Sequence, residues 1–456
     1  MKIHSVSVLI AAGLLSSCQL MGPNFGGAPD QELPISWQNA MPPSSSAADL
    51  SKWWESFGDA QLTDLINRGF LSSPDMINSA LAIARAESSL RSMRSGLFPT
   101  VSASLGGTNS GSFSTSNTHG SWSGGLSASW TPDIWGGTRR EIEAAFASLG
   151  STQAAANATR TALASSIATA YFEWISAKES LRIAKEQLEY QERTYNIVQR
   201  KAAVGMVANL ELAEARSTIA STRAQIPTYE ANIKSCENTL ATLLGTTVDN
   251  IHLRMPSAGT YNKIPRVPTG LPSELLRRRP DIIKAEKDLH RATASIGVSV
   301  ANLFPSLSLT GRVSGSSGSD FAHFFSNSAW SLGASASQTI FNRTKLKENV
   351  KMAELERDSA AQSYRKTVLS AFAEVEECLI SYARLTNQLP QHQAAAAANK
   401  QAAELSLRRF NSGQSDFLNV ASSERAWLSS ELNLISTRQQ IRMTLARLCT
   451  ALGGGW

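Results

Sequence analysis

Between Arg140 and Ile226 the chain contains no proline. Ala, Glu, Gln, Arg and Leu dominate that stretch, and all are good helix formers. Apolar residues recur at steps of three and four: Ile167, Ala170, Tyr171, Trp174 and Ile175, then Leu181, Ala184 and Leu188. That period places them on one helical face. A helix over residues 141–204 would run on the order of 100 Å, at about 1.5 Å per residue. The pattern returns over residues 345–389 and 391–452, two stretches separated by Pro390. Helices this long outgrow any small globular core and suit coiled-coil-like packing over many turns.

The chain also repeats itself. Leu97-Phe98-Pro99 matches Leu303-Phe304-Pro305, and the segment from Trp122 matches the segment from Trp330. Asp133-Ile-Trp-Gly-Gly-Thr-Arg139 matches Thr339-Ile-Phe-Asn-Arg-Thr-Lys345. Gly205 pairs with Gly413, and Leu244-Gly245 with Leu452-Gly453, all at a nearly constant offset. Two copies of one unit follow, over residues 60–250 and 274–456. The linker, residues 251–273, carries Pro256, Pro265, Pro268 and Pro272, which favours extended structure. In each unit a helix runs into Leu-Phe-Pro, two Ser/Gly-rich segments follow, and a very long helical stretch comes next.

The Ser/Gly-rich segments alternate. Val101, Ala103 and Leu105 alternate with small polar neighbours, as do Trp122, Gly124, Leu126, Ala128 and Trp130. Leu307 and Leu309 do the same, and so do Trp330, Leu332, Ala334 and Ala336. Period two predicts strands with unlike faces. Each pair reads as a hairpin, with small-polar loops near residues 108–120 and 315–325. One chain thus supplies four strands. Lipid cannot satisfy open sheet edges, and closed membrane barrels need at least about 8 strands. Either the hairpins are solvated parts of a soluble coiled-coil scaffold, or several chains share one barrel. Trp122, Trp130, Trp135 and Trp330 suit either an interfacial aromatic belt or packing within the barrel.

At the N-terminus Lys2 and His4 precede an apolar run, residues 6–15. It is too short to span a bilayer, which needs about 20 apolar residues, and reads as a signal peptide over residues 1–17. Leu15-Ser16-Ser17-Cys18 resembles a bacterial lipobox. That resemblance implies cleavage before Cys18, with an N-acyl group on the new amine and an S-diacylglycerol on the thiol. The alternative is an ordinary signal peptide that happens to contain a cysteine. Gln19 in place of Asp favours outer-membrane delivery. A lipidated, extended segment over residues 18–59 follows. The remaining Cys236, Cys378 and Cys449 have neither metal-ligand spacing nor a disulfide framework, and read as small packed residues.

The net charge of +6 sits partly in local groups such as Arg277, Arg278 and Arg279. No basic stripe interleaved with aromatics speaks for nucleic acid. The histidines, including His119, His252, His290, His323 and His392, lack neighbours at metal-binding spacing. Nucleophile-elbow and phosphate-loop motifs are missing from the sequence. It therefore gives no reason to expect an enzyme, and no cofactor beyond the lipid.

Residues 271–282, Leu-Pro-Ser-Glu-Leu-Leu-Arg-Arg-Arg-Pro-Asp-Ile, with Ile296-Gly297 and Leu303-Phe-Pro-Ser-Leu-Ser-Leu309, carry a resemblance. So do Gly22-Pro23-Asn24-Phe25 and Trp53-Trp54-Glu-Ser-Phe57-Gly-Asp59-Ala-Gln-Leu62. Together they resemble the outer-membrane efflux lipoproteins, the NodT-like branch of the TolC-like outer membrane factor family. The resemblance spans essentially the whole chain. It implies a mainly α fold with a membrane β part: four strands per chain in a 12-stranded barrel shared by a homotrimer, continued by a long α-helical barrel. It further implies a passive efflux or secretion duct through the outer membrane and periplasm. The implied partners are a periplasmic adaptor, an inner-membrane pump (first the resistance-nodulation-division type) and outer-membrane lipid.

Arg200-Lys201-Ala-Ala-Val-Gly205 and Arg408-Arg409-Phe410-Asn-Ser-Gly413 resemble the family's periplasmic-tip turns; the alternative is a glycine kink within one continuous helix. In the TolC pattern two aspartates follow the second glycine and form acidic rings at the pore mouth. Here those positions are Asn419 and Ser422, which puts that gate in doubt; Asp416 lies close by. The equivalent spacing in the first unit gives Glu211 and Glu214, three apart on one helical face. In a trimer any of these carboxylates would form a cation-favouring ring. Glu211 and Glu214 read equally well as solvated outer-face residues.

Overall fold

A computed structural model describes residues 20–30, 34, 36–39, 50–113, 115–265, 272–318 and 327–456. The signal peptide, Cys18 and His323 lie outside the described residues. A 3-10 helix over Leu50–Phe57 leads into α1 (Ala60–Ser72) and α2 (Pro74–Ser95). Strands β1 (Thr100–Ser112) and β2 (Thr115–Trp130) precede α3 (Gly137–Ala203) and α4 (Asn209–Leu244). Two short helices, α5 (Ala258–Asn262) and α6 (Leu275–Arg278), come next. Then follow α7 (Pro280–Ala301), β3 (Ser306–Ser317), β4 (Ser328–Ser337), α8 (Thr344–Asn411) and α9 (Phe417–Ala451). The order α2-β1-β2-α3-α4 thus recurs as α7-β3-β4-α8-α9.

Three expectations need correction. Pro390 does not divide its region: α8 runs through it, as α4 runs through Pro227. Both prolines sit at exposed positions, where water can serve the carbonyl that each frees. The first hairpin loop is far shorter than residues 108–120, because pairing continues to Ser112 opposite Thr115. The second is not shortened in this way: its last β3–β4 pair among the described residues is Gly315 with Ser328. The linker is not wholly extended: Ser257 accepts the Thr260 N–H and starts α5.

The chain divides into two units by internal contact. The first comprises residues 1–31, 82–153 and 284–366. It holds one sheet of order β1-β2-β3-β4, antiparallel throughout. Asp133 starts α3 by accepting the N–H groups of Thr138 and Arg139 at 3.0 and 2.9 Å, and its negative charge suits a helix N-terminus. Trp135 stacks on Phe304 and donates to the Pro305 carbonyl at 2.7 Å, so one repeat's tryptophan reads the other's Leu-Phe-Pro. Trp130 donates to the Leu97 carbonyl.

The residues just beyond Cys18 are strapped down in this unit. Arg140 is 1% exposed. It donates to the carbonyls of Met21 and Gly22 (3.0 and 3.2 Å), to Asn24 Oδ1 (2.7 Å) and to Glu143 (2.6 Å). The other Glu143 oxygen meets His290 Nε2 at 2.9 Å, and the His290 ring stacks on Phe25. Burial pushes the Glu143 carboxyl up, but the His290 and Arg140 hydrogen bonds and charges together hold it below its usual range. Gly297 makes the strap possible: a Cβ there would come within 2.6 Å of the Met21 carbonyl oxygen.

The second unit comprises residues 32–81, 154–283 and 367–456. Trp53, Trp54 and Phe57 are buried, with edge contacts among them and Phe57 against Phe172. Asp59 caps α1 through the N–H groups of Gln61 and Leu62 and accepts the Tyr171 hydroxyl at 2.9 Å. The Arg-Pro-Asp motif also has a physical basis. Arg279 forks onto both oxygens of Asp281 and donates to Glu374 and to the Ala451 carbonyl near the end of α9. Burial disfavours its charge, but the two carboxylates outweigh that and hold it above its ordinary value. Cys378 and Cys449 are buried and free, and Cys236 is half-buried.

Candidate functional site

Two helix-to-helix turns in the second unit carry Gly205 and Gly413, the residues expected at a tip. After α3, Gly205 adopts φ +72° and the Met206 N–H reaches back to the Lys201 carbonyl at 2.9 Å. After α8, Gly413 adopts φ +76° and the Gln414 N–H reaches the Arg409 carbonyl at 2.9 Å. This left-handed closure terminates a helix and favours glycine. A Cβ on either glycine would meet no atom within 4 Å, so backbone conformation alone explains the residue.

The turns are tied to each other. Lys201, at the end of α3, donates to the Phe410 and Asn411 carbonyls at the end of α8 and lies over the Phe410 ring. A cation at a helix C-terminus satisfies orphan carbonyls and complements the dipole. Behind it Val198, Ala215, Phe410, Phe417, Val420 and Ala421 form one buried cluster.

That cluster sorts the candidate gate residues. Asp416, Asn419 and Ser422 are exposed and three apart on α9, while Phe417, Val420 and Ala421 are buried. They form one polar stripe. Asp416 occupies the N-cap position of α9 without capping it by its side chain, so its carboxylate is not engaged by the helix. Asn419 donates to Ser415 Oγ at 3.2 Å. Glu211 and Glu214 are half-buried, and Glu211 Oε2 is buried without a hydrogen-bond partner among the described residues. The five residues therefore do not form one uniform set.

Sequence reasoning missed a residue further along α9. Glu424 is 1% exposed. It lies 3.1 Å from Thr194 Oγ1 on α3, and the Gln187 amide donates to its backbone carbonyl. Burial pushes its carboxyl up to about 7, with the Thr194 hydrogen bond acting weakly the other way. The signal was present: Phe417, Val420, Ala421, Glu424, Trp427 and Leu428 follow an apolar helical stripe in which one member is acidic.

In the first unit β1 and β4 each pair on one side only among the described residues. β4 is exposed along its whole length, including Trp330 and Leu332. No described helix is long and apolar enough to cross a membrane. Among the described residues no His, Cys, Asp and Glu group could hold a metal ion.

A sequence model described as outer membrane efflux protein matches residues 65–246 and 271–454. The chain belongs to the outer membrane efflux protein family. It is 32% identical to the pyoverdine export outer membrane protein OpmQ of Pseudomonas aeruginosa, over 97% of this chain and 96% of that protein. It is 28% identical to the probable outer membrane lipoprotein SilC of Salmonella typhimurium, over 100% and 99%. The solved open state of the MtrE outer membrane channel of Neisseria gonorrhoeae superposes with a TM-score of 0.84 at 28% identity, covering 96% of this chain and 98% of that one. This efflux protein has the TolC-like channel fold, resides in the outer membrane and is an exit duct of tripartite efflux systems. The family's members are channels.

Proposed function

We propose that the efflux protein works as a lipid-anchored homotrimer in which three copies each give four strands to one 12-stranded barrel. The long helices continue that barrel as an α-helical conduit. The observation that carries this reading is the single antiparallel sheet in which, among the described residues, β1 and β4 pair on one side only. A sheet edge is untenable in lipid, so closure falls to neighbouring copies. The duct is passive: a periplasmic adaptor couples it to an inner-membrane pump, of the resistance-nodulation-division type in the first instance. Gly205 and Gly413 form the periplasmic tip. There Asp416, with Asn419 and Ser422 on its stripe, supplies the ring that faces the pore, and half-buried Glu211 and Glu214 contribute less.

Purified protein in planar bilayers should give pore currents that prefer cations. The preference should fall toward unity in Asp416→Asn and change little in Glu211→Gln. Unchanged preference in both variants would remove the ring assignment, and an absence of pores would remove the barrel.

The anchor reading assigns N-acyl and S-diacylglycerol groups to Cys18. It is supported by the sequence around Cys18 and by a relative named as a lipoprotein. Mass spectrometry of the N-terminal peptide should show both groups on Cys18 and neither in Cys18→Ser. An unmodified, uncleaved cysteine in the parent protein would overturn it.

A further inference from the structure

Arg442 on α9 is a guanidinium at 5% exposure, and no ion pair joins it to any described residue. Arg438 lies one helical turn earlier on the same face and is half-buried. The two face one aromatic ring: the Arg442 and Arg438 guanidinium carbons lie 4.3 and 5.7 Å from the centroid of Tyr261 in α5. Like charges at this spacing repel. A buried charge without an anionic partner is costly, and the Tyr261 ring and its hydrogen bond offset only part of that cost. Asp59 is the acidic group in this field, but its oxygens already accept from the Gln61 and Leu62 amides and the Tyr171 hydroxyl. Burial, reinforced by Arg438, holds the Arg442 guanidinium below its ordinary value, against the raising influence of Tyr261 and Asp59.

The two arginines border a cavity of about 220 Å³, completed by Tyr261, Ile264, Leu389 and Gln393. Among the described residues its wall therefore offers two cations, an amide, a phenol and an apolar side, but no carboxylate. We propose that this cavity binds a small oxyanion, a phosphate or a carboxylate, held by the guanidinium forks of Arg438 and Arg442. Planar guanidinium groups match such anions in a bidentate manner. Gln393 lies at the exposed rim, where its amide can donate to the anion. Ile264 and Leu389 leave room for a short apolar substituent. The site is independent of the duct reading.

The test uses the full-length protein in detergent at constant ionic strength, with chloride as the background anion. Inorganic phosphate and butyrate are titrated separately by calorimetry, and thermal unfolding is followed in parallel. Saturable binding of either anion with a rise in Tm is expected, and which one binds identifies the source. Binding should weaken at least about tenfold in Arg438→Gln, the loss of one charge-assisted contact, and vanish in Arg442→Gln. Arg425→Gln, elsewhere on α9, should bind as the parent does. Because Arg438 is half-exposed, its variant keeps the test sound if Arg442→Gln misfolds. No saturable response to either anion, or equal binding in Arg438→Gln and the parent, would overturn the site.

Discussion

Arg140→Met is expected to destabilise the first unit by about 3–5 kcal/mol, the cost of breaking a buried ion pair from one side. The substitution keeps much of the packing but removes four hydrogen bonds to Met21, Gly22, Asn24 and Glu143. Glu143 then keeps only His290, and the strap that follows Cys18 loses its main anchor. Limited proteolysis should cut between Leu20 and Phe25 in the variant and spare that segment in the parent. Arg140→Lys should fall between them, because an ammonium cannot reach four acceptors in the guanidinium's fixed geometry. Equal protease resistance and equal Tm in all three proteins would show that the strap is held by packing alone.

The second large effect concerns Glu424. Its carboxyl, raised to about 7, binds a proton more readily in the folded chain than when unfolded. The stability that this group contributes is therefore fully present below its ordinary value of 4.5 and is lost as pH rises through about 7. The shift corresponds to about 3 kcal/mol per chain. Burial supports the neutral carboxyl, and hydrogen bonding opposes it only weakly. Thr194 has one hydroxyl proton and lies 3.0 Å from the Tyr190 carbonyl as well as 3.1 Å from Glu424. Shared between two acceptors, that proton gives the carboxylate little stabilisation. Tyr190, itself pushed up to about 12 by burial and then by Glu424 and Glu404, lies nearby and stays protonated. Glu424→Gln should flatten the pH dependence of Tm across this window and raise Tm at the alkaline end. A parent curve as flat as the variant's would show that the carboxyl is hydrated.

Much of this architecture is legible in the sequence, and the parts that are not share a cause. The long helices announce themselves because apolar spacing and the lack of proline act over many turns. Pro390 misleads because a proline on an exposed face costs one hydrogen bond, less than the packing of the helix around it supplies. The first hairpin is longer than its composition suggests, because ladder bonds belong to the backbone. Thr108 pairs with Ser121 and Asn109 with Gly120 as regularly as apolar residues do. At the two helix-to-helix turns, the glycines stand out by type and spacing. The roles of Lys201, Glu424 and Arg140 do not, because each acts on a partner far away in sequence. The position of Asp416 on an exposed stripe likewise emerges only once Phe417 and Val420 are seen to be buried.

In an all-antiparallel order β1-β2-β3-β4, the two outer strands run in opposite directions. Joining β4 of one copy to β1 of the next therefore preserves alternation for any number of copies, and the strand order alone sets no stoichiometry. It does set the kinetics. Among the described residues a single copy carries two unpaired edges that hydrocarbon rejects, so in the proposed shared barrel entry into the membrane should be a collective event whose rate climbs steeply with the supply of finished chains. A copy with a damaged outer strand would not merely be inactive. It would occupy a seam and poison the ring that it joined.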